Sequence, residues 1–299
     1  MIRTKDTGRR FLFYTVLFEG LSPVLMHRAS GLFPPVLFLL LVMLIASVTL
    51  TIILLIRGEL HFRLSRKNLC WIMGITLFNM TGYVLILMGT RTSSGVSTAL
   101  LLQSEMAWTL LLSWLVLGET ITLRRLMGIC IVLFGTLAVL WRGDLTFHTG
   151  ELFIIVATVL FPFGNACAKK ALREVAPIQV LLLRYLFGIA YLGILTLALG
   201  QIHVPALWSY EHWLVLGVFS LIVFVASKIC WYEGLKSHDL HVSVATVSAV
   251  PAVAMALSFL ILGELPALRQ WIGFVLTMVG LCVIFGAKAQ EVPEEAISA

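Results

Sequence analysis

The stretch Leu115-Val116-Leu117-Gly118-Glu119 returns 145 residues later as Leu260-Ile261-Leu262-Gly263-Glu264. The same offset carries Arg124 onto Arg269, Gly128 onto Gly273, Gly135 onto Gly280 and, upstream, Gly89 onto Gly234. One coincidence at a fixed offset means little. A set of them, with the same Gly-Glu at the same place in each unit, marks an internal repeat. The halves run from 1–145 and 146–287, and the polar, acidic stretch 288–299 is expected to be a disordered tail.

The residues around these motifs are too apolar for a water-soluble core. Of 299 residues, 60% are hydrophobic and 12% charged, where a soluble domain carries about 25% charged residues. The excess apolar surface must face lipid. A helix crossing the hydrocarbon core needs about 20 apolar residues, and ten segments qualify: 11–29, 32–56, 68–90, 94–118, 124–142, 150–171, 177–200, 211–235, 240–263 and 268–287. Their connections are short, so neighbours run antiparallel. Five helices per half is an odd number, so the second half enters the membrane the opposite way round. The expected fold is an all-α integral membrane protein of ten transmembrane helices, arranged as two inverted five-helix repeats. Such repeats are characteristic of secondary transporters, with the substrate held near the midplane between them.

The formal charge of +6 does not point to nucleic acid, because the basic residues form short clusters between apolar runs. With the N-terminus in the cytoplasm, fifteen Lys and Arg fall on the inner side and four (Arg28, Arg91, Arg142 and Arg269) on the outer side. This bias places both termini inside. The run from Phe11 starts like a signal peptide, but Glu19 interrupts it and no convincing cleavage site follows, so it is taken as the first retained helix. The cysteines at 70, 130, 167, 230 and 282 lie within apolar runs and suggest neither a disulfide framework nor a zinc site. The histidines lie near loops without an acid to complete a metal set. No cofactor is expected.

The repeated Gly-Glu ending, followed by a helix with glycines seven apart (Gly128 and Gly135, Gly273 and Gly280), resembles the drug/metabolite transporter superfamily, in particular its ten-helix EamA-type members. Leu183-Arg184-Tyr185-Leu186 resembles the basic position at the start of a unit's second helix in that family. The family has a proline thirteen residues before the Gly-Glu glutamate. The second half keeps it as Pro251, whereas the first half has Met106, preceded by Glu105, and Leu39 stands where Arg184 has its counterpart. The resemblance implies a bacterial inner-membrane protein that carries a small-molecule substrate. It does not name the cargo, since the same fold serves many.

Ionisable residues at membrane depth are costly and mark function or pairing. Four fall there: Glu19 in the first helix, Glu105 in the fourth, Arg184 in the seventh and Lys228 in the eighth. As a structural set they would form ion pairs that hold the bundle. As a functional set they would line a polar cavity, where Lys228 or Arg184 meets a carboxylate and Glu105 or Glu19 meets an amine or serves as a proton-coupling site. Helical spacing places Trp108 near Glu105, Trp231 near Lys228, and Asn79 near Tyr83. An aromatic ring beside a charge suits an amine or a zwitterion, though packed or interfacial aromatics are commoner. Gln103 and Ser248 are equivalent under the repeat and complete the polar candidates with Asn165. Pro162 and Gly164 beside Asn165 predict a broken stretch in the sixth helix. Glu119 and Glu264 sit at helix ends and are taken as structural, capping or pairing with nearby backbone or Arg residues.

Together these features predict a secondary transporter that exports amino acids or amino-acid-derived metabolites by alternating access; opine-type metallophores fit the same description. The runner-up is a drug or purine/nucleoside exporter. An enzyme is not expected, because no His-Glu-x-x-His motif and no Ser/His pair at one depth is present. A monomer or weak dimer in the lipid bilayer is the expected state, with protons a candidate coupling ion.

Overall fold

The computed structural model describes residues 5–59, 65–117, 122–141, 149–201, 208–237, 243, 246–247 and 249–285. Ser248, the motif residues Gly118 and Glu119, and the stretch 288–299 lie outside them. The first half contains α1 (Lys5–Glu19), α2 (Ser22–Leu32), α3 (Pro35–Arg57), α4 (Arg66–Gly89), α5 (Gly95–Leu101), α6 (Glu105–Leu117) and α7 (Leu123–Leu140). The second contains α8 (Thr149–Ala171), α9 (Pro177–Ala198), α10 (Tyr210–Val218), α11 (Lys228–Ser237), α12 (Val250–Leu257) and α13 (Leu268–Phe285). A 3₁₀ turn over Leu102–Ser104 joins α5 to α6, and wide π-helical turns over Phe219–Ser227 and Ser258–Leu262 follow α10 and α12. The helices correspond to the ten expected segments. Six spans are long and apolar enough to cross a membrane unaided: Pro35–Arg57, Arg66–Gly89, Leu123–Leu140, Thr149–Ala171, Pro177–Ala198 and Tyr210–Ser237. The others are bent or shorter.

Packing follows the repeat. Helix α7 lies on α13 and α3 on α9, each on its own counterpart, while α4 packs on α8 as α11 packs on α1. An approximate two-fold axis relates these pairings. The glycines show the direction: a Cβ on Gly128 would stand 2.9 Å from the Gly280 carbonyl oxygen, and one on Gly135 3.0 Å from that of Gly273. Numbers rise along α7 as they fall along α13, so the two helices are antiparallel, as inverted repeats require. Their contact needs bare Cα atoms on both sides.

Exposed apolar side chains such as Ile56, Ile194, Leu197 and Leu260 clothe the outside, where lipid replaces water as their solvent. Polar groups gather within. Thr49, Thr51 and Thr196 return their hydroxyls to carbonyls four residues earlier, which satisfies them without a partner helix.

The helix breaks are not where the sequence places them. Helix α8 runs unbroken from Thr149 to Ala171 through Pro162. Its ring removes one backbone donor, and packing along α4 holds the remaining ladder together. The break occurs instead at the equivalent point of the first helix, after Glu19. Pro23 is the cause, because it has no N–H to give the Glu19 carbonyl and its ring crowds that oxygen. The chain turns through Gly20 and Leu21 and restarts at Ser22. In the fourth helix, the lack of a proline before the motif does not straighten the chain. The 3₁₀ turn ends at Ser104 and α6 begins at Glu105, 145 residues before α12 begins at Val250. Ser104 holds this turn by donating to Leu101 O at 2.9 Å, and its hydroxyl lies 2.9 Å from that of Thr158.

Candidate functional site

The interruptions surround a central cavity of about 150 Å³. The break after α1 places Glu19 on its wall, the 3₁₀ turn supplies Gln103 and the start of α6 Glu105, and the wide turn before α11 delivers Lys228. A π-helical turn leaves carbonyls outside the regular ladder; here Phe224 O accepts from the Tyr185 hydroxyl. Both halves contribute to the lining.

Nine of the proposed residues line this one cavity: Glu19, Asn79, Tyr83, Gln103, Glu105, Asn165, Arg184, Lys228 and Trp231. Trp108 does not, although it follows Glu105 by one turn; the Glu105 carboxylate meets Asn165 of α8. Sequence reasoning missed Thr15, Ser22, Tyr232 and Phe161, which also line it. Tyr232 had a legible signal, being the neighbour of Trp231 and four residues beyond Lys228. Phe161 had none, since an isolated Phe in an apolar helix is normally core.

The four charges are not equivalent. Lys228 Nζ donates to both Glu19 oxygens at 3.0 Å, and Ser227 Oγ donates to Glu19 Oε2 at 2.8 Å. The ammonium also lies 5.6 Å from the Tyr83 ring centroid. This pair neutralises itself and ties the break in the first helix to α11. Glu105 receives Asn165 Nδ2 on Oε1 at 2.8 Å, a neutral partner. Arg184 is 1% exposed and donates from Nη1 to the Tyr232 hydroxyl at 3.1 Å. Its Nε and Nη2 find no acceptor among the described residues, and neither does Asn79 Oδ1 find a donor. Glu105 and Arg184 thus line the cavity with no ion-pair partner among the described residues.

The two halves are also tied together at the Gly-Glu motif. Gly263 ends the wide turn in a left-handed conformation, φ 68°, which glycine alone adopts freely. The chain then doubles back so that Glu264 accepts from Gly95 N and Val96 N at 3.3 and 3.2 Å, at the start of α5. Gln270 donates to Ser94 Oγ and Ser97 Oγ at 3.2 and 3.0 Å beside it. His27 Nε2 lies 3.9 Å from Glu264, and Arg28 reaches Glu211 and Ile261 O. The Gly-Glu motif of one half thus caps a helix of the other, with the carboxylate at the positive end of the helix dipole.

The chain matches the EamA-like transporter family twice, over residues 7–141 and 148–286. Two relatives from Bacillus subtilis (strain 168) are similar along most of their length. The protein named uncharacterized transporter YyaM is 23% identical over 254 residues, spanning 81% of each chain. Uncharacterized transporter YetK is 26% identical over 265 residues, or 83% of this chain and 77% of its own. A solved crystal structure superimposes with a TM-score of 0.69 at 18% identity, covering 94% of this chain and 97% of that one; the likeness is one of fold.

Proposed function

Since the chain belongs to the EamA-like transporter family, we propose that it exports amino acids or amino-acid-derived metabolites across the bacterial inner membrane by alternating access, with both termini in the cytoplasm. One observation carries this reading. The cavity between the halves holds charges of both signs, Glu19 and Glu105 from one half, Arg184 and Lys228 from the other. A low-dielectric wall with fixed plus and minus groups favours a solute that carries the complementary pair. A drug or purine without both charges would leave Glu105 or Arg184 unmatched at the cost of its desolvation. Rocking of the halves about their two-fold axis would expose the cavity to each side in turn.

The test is efflux from proteoliposomes loaded with a broad mixture of amino acids and small metabolites, with internal and external pools compared by mass spectrometry. Loss of a zwitterionic solute that depends on the protein is expected. No flux above protein-free liposomes refutes the proposal. Selective loss of a purine or a hydrophobic cation transfers support to the drug or nucleoside reading.

A further inference from the structure

The guanidinium of Arg184 has two usable edges. Nη1 points along one, to Tyr232, at 3.1 Å. Nε–H and an Nη2–H point together along the other, and neither finds an acceptor among the described residues. Two parallel N–H donors on one edge form the fork that carboxylates fill with two hydrogen bonds. Buried donors left unmade cost free energy, and a native site that keeps them calls for an explanation. Burial here is nearly complete, and Arg184 nonetheless lines the cavity.

We propose that the Nε/Nη2 edge of Arg184 is the carboxylate-binding subsite of the cavity, with the Glu105–Asn165 pair as the ammonium-binding subsite. This rests on the transport reading above and narrows it to substrates that carry both groups. Charge balance selects the class. Glu19 and Lys228 cancel each other. Arg184 and Glu105 remain, one charge of each sign. A zwitterion with one net carboxylate and one ammonium closes this set. A phosphate ester matches the same fork, but its second negative charge leaves the cavity negative beside Glu105. The Lys228–Glu19 pair takes no direct part in holding the substrate; it fixes the wall against which the substrate lies.

The experiment uses inverted membrane vesicles from cells that express the full chain. They are incubated with a whole-cell metabolite extract, and solutes that accumulate above empty-vector vesicles are identified by mass spectrometry. Each is then offered as the acid, as its carboxamide and as its N-acetyl derivative. The expected result is that every accumulated solute has a carboxylate and an amine, and that either blocked form enters wild-type vesicles at least tenfold more slowly. Arg184→Lys, which keeps the charge and loses the fork, should lose at least tenfold for the acid and little for the amide. The acid-to-amide comparison in the wild type stands even if that variant does not fold. Uptake of acid and amide at equal rates overturns the assignment and leaves the transport reading intact, whereas accumulation only of solutes without a carboxylate overturns both the assignment and the amino-acid reading. Accumulation of phosphate esters also overturns it, in favour of an anion site. If nothing accumulates, the transport reading fails and takes the assignment with it.

Discussion

At the residue scale, the cavity separates a charge pair that supports the fold from charges that stay open. Glu19 and Lys228 are held at two 3.0 Å contacts, so removing one leaves the other buried and uncompensated. Glu19→Gln should lower stability by about 3–5 kcal/mol, read as a fall in the detergent-solubilised unfolding temperature. The double change Glu19→Gln with Lys228→Met should restore most of it, because no unpaired charge remains. An equal loss in single and double variants would contradict this account. Glu105 behaves differently. Its partner is the neutral Asn165, so Glu105→Gln can keep an amide–amide hydrogen bond and should leave the unfolding temperature nearly unchanged, while flux of an amine-bearing substrate falls at least tenfold.

At the element scale, function concentrates where regular helix fails. Pro23 stops α1 at Glu19, and the turn through Gly20 and Leu21 carries the carboxylate to the cavity wall. Pro23→Ala returns the missing donor and should let the helix continue. The expected outcome is unchanged or higher thermal stability with a large loss of transport; unchanged transport would mean that the bend is incidental. The α7–α13 contact allows the converse test. A Cβ on Gly128 would stand 2.5 Å from Ile284 Cγ1 and 2.9 Å from the Gly280 carbonyl oxygen. One of those neighbours is backbone and cannot rotate away. Gly128→Val should therefore destabilise the protein by about 1–3 kcal/mol, as overpacking does. The same change at Gly193, which has no neighbouring atom within 4 Å of such a Cβ, should have a small effect in the same unfolding assay.

At the scale of the whole molecule, the two halves meet at the cavity and again at the Gly-Glu motif. Glu264 belongs to the second half and caps α5 of the first, with Gln270 on the adjoining serines. Any movement that separates α5 from Glu264 must break those bonds. Glu264→Gln keeps the shape but removes the charge that favours the helix N-terminus. It should shift the protein toward a state in which α5 and residue 264 are apart, measured as faster thiol labelling of a cysteine placed at Ser97. Labelling at the wild-type rate would show that the charge does not hold the two together. The proposed topology is tested separately, by reporter domains fused to each terminus; both are expected to be active only in the cytoplasm.

The apolar content, the ten segments and the 145-residue repeat were legible in the sequence because lipid imposes a coarse, local requirement. Each crossing segment must satisfy its own backbone and show apolar side chains outward, and that demand is written residue by residue. Glu19, Glu105, Arg184 and Lys228 were visible for the same reason, since a charge in an apolar run stands out. What they do to one another was not visible. That Lys228 meets Glu19 rather than Glu105, that Arg184 meets a tyrosine and leaves Nε and Nη2 unpaired among the described residues, and that Glu264 caps the other half's helix all depend on contacts between distant segments. The sequence placed the helix break in the sixth helix, and the structure places it in the first. Pro23 and Pro162 present the same local chemistry, but α8 lies packed along α4 and stays continuous while the first helix breaks. Hydropathy and spacing act along one chain segment, whereas pairing and the choice between bending and continuing depend on which surfaces the folded bundle brings together.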